Sequence, residues 1–257
     1  MRHAMENDEQ YYQREKVLLE YLAFHYPDPA ADPMEALLAD RTPPVASRFP
    51  FGVRELWEPR ADGLALDVGA AVGRVTFDLA DDHAYAFGLD LSGMLMRGAQ
   101  QVQREGAARY STILEGDLRV EHDIPVPAPS NASFLVGDAL HLPFPDLSFA
   151  TVVALNLIDR VPDPMLALDE LARVTAPGGR LIIGSPFTWL PAFTERDRWL
   201  GGVVRNGKPV RGIETVRARF GHGFRILDER RLPFFIPHHA RTGQLGVACL
   251  LTIRRER

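Results

Sequence analysis

The stretch LALDVGAAVGR, residues 64–74, decides the reading of the chain. An apolar run ending in Asp67-Val68 gives way to the small-residue loop Gly69-Ala70-Ala71-Val72-Gly73, and a helical pattern opens at Arg74. A strand that turns into a helix through small residues lets a ligand approach the backbone amides and the helix N-terminus. Gly69 can also take a backbone conformation closed to larger residues. A dinucleotide fingerprint needs glycines at 69, 71 and 74, whereas this chain has Gly69, Ala71 and Arg74. The long cation at 74 opposes the close helix-on-strand packing of that fingerprint, which counts against a nicotinamide oxidoreductase.

Outward from this loop, short apolar runs alternate with helical stretches. AYAFGLD, ASFLVGD, FATVVALN and RLIIGS read as strands; helices are expected over residues 74–81, 93–105 and 164–174, the last closed by Pro177-Gly178-Gly179. Such alternation implies parallel strands joined by crossover helices, a doubly wound α/β domain whose ligands bind at the carboxyl ends of the strands. A long aromatic and charged loop follows Ser185, then a helix near residues 213–220. FRILDE and QLGVACLLTIRR are expected to form an antiparallel edge, joined by a turn-rich stretch from 232 to 243.

Upstream, residues 11–26 place Val17, Leu18, Tyr21, Leu22 and His25 at helical spacing, so an amphipathic helix is expected to end at Pro27. A proline-rich wrapping segment with one short helix near residues 34–39 completes an N-terminal cover, residues 1–60. Residues 61–257 form the main domain, with an insertion at about 185–212.

The 257 residues are 46% hydrophobic and 25% charged, a globular composition with a formal net charge of -5. That balance supplies no broad positive field for a phosphate backbone, so no nucleic-acid partner is expected. No apolar run approaches a membrane span and the start is polar and acidic; a cytoplasmic protein without a membrane partner is expected. The single cysteine, Cys249, allows no internal disulfide and offers no metal-ligand set, so no metal is expected.

Asp90 ends the second strand, 23 residues after Asp67, where a carboxylate can accept both hydroxyls of an adenosine ribose; a turn or N-cap role is the alternative. Asn156 ends an otherwise apolar strand and is expected to face the crevice. An acidic residue followed by G-x-A-x-G resembles the first motif of class I S-adenosylmethionine-dependent methyltransferases. That resemblance implies a Rossmann-like, mostly parallel seven-stranded sheet and the cofactor S-adenosyl-L-methionine. Its cofactor contacts would be Asp67, Gly69, Ala71 and Gly73, Asp90 with Leu91, Asp138 with Ala139, and Asn156. Asp138 occupies the place of an adenine contact, with an N-cap as its alternative.

The segments VGAAVGRVTFDLA, NLIDRVPDP, SPFTWL, FTERDRWLGG, LPFFIPHHAR and QLGVACLLTIRR, with EYLAFHY near the start, narrow the resemblance. They are similar to the C-terminal methyltransferase domain of ovothiol-biosynthesis enzymes, which methylates a ring nitrogen of 5-thiohistidine (4-mercaptohistidine). The resemblance implies a thiohistidine-like acceptor, supplied by a separate sulfoxide synthase. Trp189, Phe193 and Trp199 are candidates to enclose the imidazole, and Asp159 and Arg160 to meet the ammonium and carboxylate of an amino acid. Asp159, His25, His238 and His239 are candidate bases for the ring proton, and Tyr12 and Lys16, one helical turn apart, are candidates to close over the cofactor. A class I methyltransferase of another small molecule and a non-catalytic S-adenosylmethionine-binding protein are the alternatives.

Overall fold

The computed structural model describes residues 15–27, 51–239 and 242–256. Tyr12, the expected helix near residues 34–39 and the side chain of His239 lie outside the described residues. Helix α1 spans Glu15–His25, and a 3-10 turn covers Phe51–Leu56. Strand β1 (Arg60–Val68), helix α2 (Arg74–Asp82), strand β2 (His83–Asp90) and helix α3 (Gly93–Glu105) then follow as the alternation requires.

Local chemistry sets the helix limits. Ser92 caps α3 by accepting from the Leu95 amide, and Gly106, at φ 63°, closes its other end. Between α3 and strand β5 (Ala132–Val136) lies an antiparallel hairpin, β3 (Ala107–Glu115) and β4 (Leu118–Pro125). Strand β6 (Phe149–Leu155) leads to helix α4 (Pro164–Val174), where Asp163 caps and Pro164 occupies the first turn. This helix ends at Thr175, whose hydroxyl donates to Leu171 O at 2.7 Å, before the Pro177-Gly178-Gly179 stop. Those three residues belong to strand β7 (Thr175–Ser185), in a bulge opposite Phe149 and Thr151.

After β7 come a second 3-10 turn (Arg196–Arg198), a small hairpin, β8 (Val203–Arg205) and β9 (Lys208–Val210), and helix α5 (Gly212–Arg219). Strands β10 (Phe224–His239) and β11 (Thr242–Arg255) finish the chain. The sheet order is β10-β11-β7-β6-β1-β2-β5, with β11 antiparallel to both neighbours and the core strands parallel. The turn-rich stretch expected over 232–243 is instead paired strand: β10 runs beside β11 from Phe224 to His239. Pro233 and Pro237 are tolerated because β10 is the outer strand.

Strand β1 lies between β2 and β6, and the chain winds outward from it in both directions, so the carboxyl ends of β1 and β6 open a crevice. Two apolar clusters cover the two faces of the sheet. One joins α1, the 70–75 segment, α2 and α3; the other joins α4, α5 and the loop carrying Trp189 and Leu200. Because β11 pairs Cys249 with Ser185, the last residue of β7, the β10–β11 hairpin rises past the carboxyl edge. There Phe234 meets Phe24 of α1 edge-on, with ring centroids 6.2 Å apart.

Candidate cofactor and acceptor site

The loop after β1 turns on three left-handed residues, Gly69 (φ 78°), Ala71 (φ 49°) and Gly73 (φ 84°). The amides of Gly69 and Ala70 both donate to Leu89 O, at 2.8 and 3.0 Å, so the loop folds over the end of β2. There the carboxylate of Asp90 accepts from Ala71 N at 3.0 Å through Oδ2 and from Ser92 N at 2.9 Å through Oδ1. Each oxygen retains a further lone pair, and the residue is only half-buried. Burial raises the Asp90 pKa, against the amide hydrogen bonds of Ser92 and Ala71, which lower it.

Two residues of the motif serve the loop from beneath. Asp67 is 3% exposed and accepts from Thr76 Oγ1 at 2.8 Å, tying β1 to α2. Burial pushes its carboxyl up to about 7, and the nearby charge of Asp90 pushes the same way. A side chain closed in this manner presents no face to a ligand, which corrects the expected direct contact. At Gly73 a Cβ would stand 2.7 Å from the Phe134 ring and 3.1 Å from Ala99 Cβ, so glycine here permits packing. At Gly69 the nearest atom to a Cβ would be Leu157 Cδ1 at 3.2 Å. The small-residue cradle and the half-buried Asp90 carboxylate fit an adenosine-bearing cation of the S-adenosylmethionine type.

The remaining expected cofactor residues lie along the same edge. Leu91 is 58% exposed beside Asp90, and Ala139 is buried. Asp138 follows β5; its Oδ1 accepts from Leu140 N at 2.8 Å, and its Oδ2 stands 3.6 Å from His141 Nδ1. It therefore acts as a turn residue with its side chain about half exposed, leaving room for another partner. Asn156, at φ 52°, closes β6 with its amide on Gly184 O at 2.7 Å, and its buried Oδ1 has no partner among the described residues.

On the acceptor side, Asp159 departs from its expected role. It is fully buried and accepts from Ser185 Oγ (2.9 Å), Arg160 Nη1 (2.8 Å), Thr188 N (3.1 Å) and Thr188 Oγ1 (3.0 Å). Both oxygens are hydrogen-bonded and the side chain has no exposed surface, so here it reaches neither an ammonium nor a ring proton. Arg160 is committed to Asp159 and Thr188 and lies 5.1 Å over the Phe193 ring. Trp189, 8% exposed, stacks on Trp199 at 6.4 Å and leaves its Nε1 buried without a partner among the described residues. Trp199 donates to Thr194 O at 2.8 Å.

The expected base His25 packs with α1 and the 70–75 segment, in the other apolar cluster, stacked on Tyr21 and edge-on to Phe24. Burial, then the charge of Arg74, lowers its pKa to about 3, so it is neutral at neutral pH and a poor proton acceptor there. Lys16 is exposed beside Glu20 at 3.7 Å. With the exposed His238 it lines a groove of about 500 Å³ between α1, the β3–β4 hairpin and β10. The structure therefore gathers Asp90, Gly69 and Asn156 at the crevice and Trp189, Phe193 and Trp199 beyond β7, but places Lys16 and His238 elsewhere. Sequence reasoning missed Tyr26, whose hydroxyl donates to Val72 O at 2.9 Å, and Tyr110, whose hydroxyl donates to Tyr26 O at 2.9 Å. It also missed Ser185 and Thr188; their signal was a run of polar residues in SPFTWL at a strand end.

The methyltransferase-domain family model matches residues 66–183. Demethylmenaquinone methyltransferase of Thermobifida fusca (strain YX) is 35% identical over 147 residues, covering 57% of this chain and 52% of that protein. 27-O-demethylrifamycin SV methyltransferase of Amycolatopsis mediterranei (strain S699) is 31% identical over 153 residues, covering 56% and 48%. The chain thus spans about half the length of these curated relatives. The N-methyltransferase NodS from Bradyrhizobium japonicum WM9, solved with S-adenosyl-L-homocysteine, shares the fold at a TM-score of 0.52 and 18% identity. That match covers 93% of this chain and 99% of that one. No helix among the described residues is long and apolar enough to cross a membrane. Residues 66–183, whose strand ends build the Asp90 cradle, match the methyltransferase-domain model, and the chain shares its fold with NodS.

Proposed function

We propose that the chain transfers a methyl group from S-adenosylmethionine to a small molecule, and that the acceptor is an imidazole nitrogen of 5-thiohistidine. The observation that carries the methyltransferase reading is the double use of Asp90. By holding both the Ala71 and Ser92 amides, it fixes the glycine loop and the start of α3 around one half-buried carboxylate. When bound, the cofactor supplies a methyl on a sulfonium, activated for in-line displacement. The part left to the chain is orientation: Asp90 would meet the ribose hydroxyls, Gly69 would admit the ligand close to the backbone, and the Trp189–Trp199 stack would cover the acceptor.

Thiohistidine rests on the similarity of NLIDRVPDP, SPFTWL and FTERDRWLGG to the ovothiol-type domain. Methyl transfer to nitrogen needs the ring proton to leave, and with Asp159 buried among its own donors and His25 held neutral, the proton would pass to solvent. The more nucleophilic sulfur must be turned away, so selectivity is a matter of how the ring is held. A sulfoxide synthase activity would supply the acceptor.

Mass spectrometry of products formed from S-adenosylmethionine with 5-thiohistidine, or with histidine, tests this reading. The expected product is N-methylated 5-thiohistidine, with little product from histidine. Methylation at sulfur, or equal activity on histidine, overturns the acceptor and leaves the methyltransferase; no turnover with cofactor bound favours a binding protein.

A further inference from the structure

Asp159 joins the two segments that leave β6 and β7. Its Oδ1 holds Ser185 at the end of β7, and its Oδ2 holds Thr188 through both backbone amide and hydroxyl. Arg160 reaches the same place from the β6 side, donating to Asp159 Oδ2, to Thr188 O at 3.1 Å and to Thr188 Oγ1 at 2.9 Å. A buried carboxylate is tolerated only when such donors compensate its lost hydration, and removing it loosens every group it held. The joint therefore sets the positions of the residues on either side of it.

Those two segments carry two of the three buried polar side-chain atoms that lack a partner among the described residues, Asn156 Oδ1 and Trp189 Nε1. One accepts a hydrogen bond and the other donates one. The backbone at Asn156 is held at φ 52° with its amide on Gly184 O, and the indole is stacked on Trp199. Buried polar groups are ordinarily paired, and an unmatched acceptor and an unmatched donor on the two segments that Asp159 joins call for a ligand of the opposite pattern.

We propose that Asn156 and Trp189 read the methyl acceptor and that Asp159 is the positioning residue that holds them in register. The acceptor is then a small heteroaromatic ring that offers an N–H to Asn156 Oδ1 and the lone pair of a thiolate substituent to Trp189 Nε1, which leaves the second ring nitrogen's lone pair for the methyl. This inference rests on the methyltransferase reading and moves Asn156 from the cofactor to the acceptor. A thiolate-bearing imidazole has both features; a thiophene ring of the same size has neither a ring N–H nor a thiolate.

The test is calorimetric titration of the S-adenosylhomocysteine-loaded protein with 5-thiohistidine and with 3-(2-thienyl)alanine. 5-Thiohistidine should bind at least tenfold more tightly. Trp189→Phe keeps the stack without the N–H, and Asn156→Gly keeps the positive φ without the side chain. Each should weaken 5-thiohistidine about tenfold and narrow its advantage over the thienyl analogue, with S-adenosylhomocysteine affinity changed by less than about threefold. Asp159→Asn should reproduce the loss of discrimination. Should that variant fail to fold, Thr188→Val tests the joint from its exposed end and Thr188→Ser should restore it. A positioning role also leaves the shape of the pH–rate profile unchanged in these variants.

Equal binding of the two ligands, no 5-thiohistidine binding by the wild-type complex, or unaltered discrimination in Trp189→Phe and Asn156→Gly overturns the inference. Failure of the wild-type protein to bind S-adenosylmethionine or S-adenosylhomocysteine overturns the methyltransferase reading beneath it.

Discussion

The phenol of Tyr26 donates to the carbonyl oxygen of Val72 at 2.9 Å, and this buried bond pins the end of α1 to the loop between β1 and α2. The backbone oxygen of Tyr26 accepts in turn from Tyr110 of the β3–β4 hairpin. Helix α1, the hairpin and the cofactor loop are thus one connected unit.

Tyr26→Phe removes the donor and leaves Val72 O unmatched, which should lower unfolding free energy by about 1 to 2 kcal/mol. Because the same bond restrains the cradle, affinity for S-adenosylmethionine should also fall, by about threefold to tenfold. Urea denaturation and calorimetry separate the two effects; a stability loss with unchanged cofactor affinity would show that the loop holds its shape without α1.

Asp90 serves both cofactor and loop, so its substitutions should be graded. Asp90→Ala loses the ligand contact and frees the Ala71 and Ser92 amides together, weakening cofactor binding by about 1.5 to 3 kcal/mol. Asp90→Asn retains one acceptor oxygen and should lose less. Calorimetric titration with S-adenosylmethionine that finds the two variants alike, or the Ala variant unimpaired, would place the ribose elsewhere.

The glycines at 69 and 73 should separate by phenotype. At Gly73 an added methyl meets the Phe134 ring at 2.7 Å in a backbone of φ 84°, so Gly73→Ala should destabilise the fold by about 2 to 3 kcal/mol. At Gly69 only Leu157 lies near, at 3.2 Å, and Gly69→Ala should cost about 1 kcal/mol of stability while weakening cofactor binding more strongly. Thermal melts with and without S-adenosylmethionine read both quantities; equal melting losses at the two positions would refute the assignment.

Asp67 and His25 should give opposing slopes of stability against pH. The carboxyl of Asp67 is raised to about 7, so the folded protein keeps a proton that the unfolded chain releases. Its contribution is full at low pH and lost as pH rises through about 7. His25 is lowered to about 3 from 6.5, so its contribution is full above 6.5 and lost as pH falls towards 3. Each shift of about three units corresponds to at most about 4 kcal/mol. Relative to wild type, His25→Phe should lose stability as pH rises from 4 to 6.5, and Asp67→Asn should lose it as pH falls over the same range. Urea unfolding at several pH values checks the signs; parallel curves for all three proteins would contradict both burial arguments.

By itself the sequence determined the parallel core, the limits of α3 and α4 to within a residue or two, and the loop from Asp67 to Gly73. These depend on short-range causes: apolar periodicity, the Ser92 and Asp163 caps, and small residues at a strand-to-helix turn. The thiohistidine expectation came from longer motifs, among them NLIDRVPDP after β6 and SPFTWL and FTERDRWLGG at and beyond the end of β7. Only the tertiary structure decided what those side chains do. Asp159 looked like a free carboxylate beside an arginine, yet it is buried and bound by donors 26 and 29 residues away. His25 looked like a base, yet packing against Tyr21, Phe24 and the 70–75 segment removes its water and with it its basicity. The β3–β4 hairpin was not foreseen, and the expected antiparallel edge of β10 and β11 extends further than the sequence suggested, because residues 232–239 pair as strand where a turn-rich stretch was expected. A carboxylate's hydration and a histidine's proton affinity depend on everything packed around them, and that is assembled only when the sheet closes.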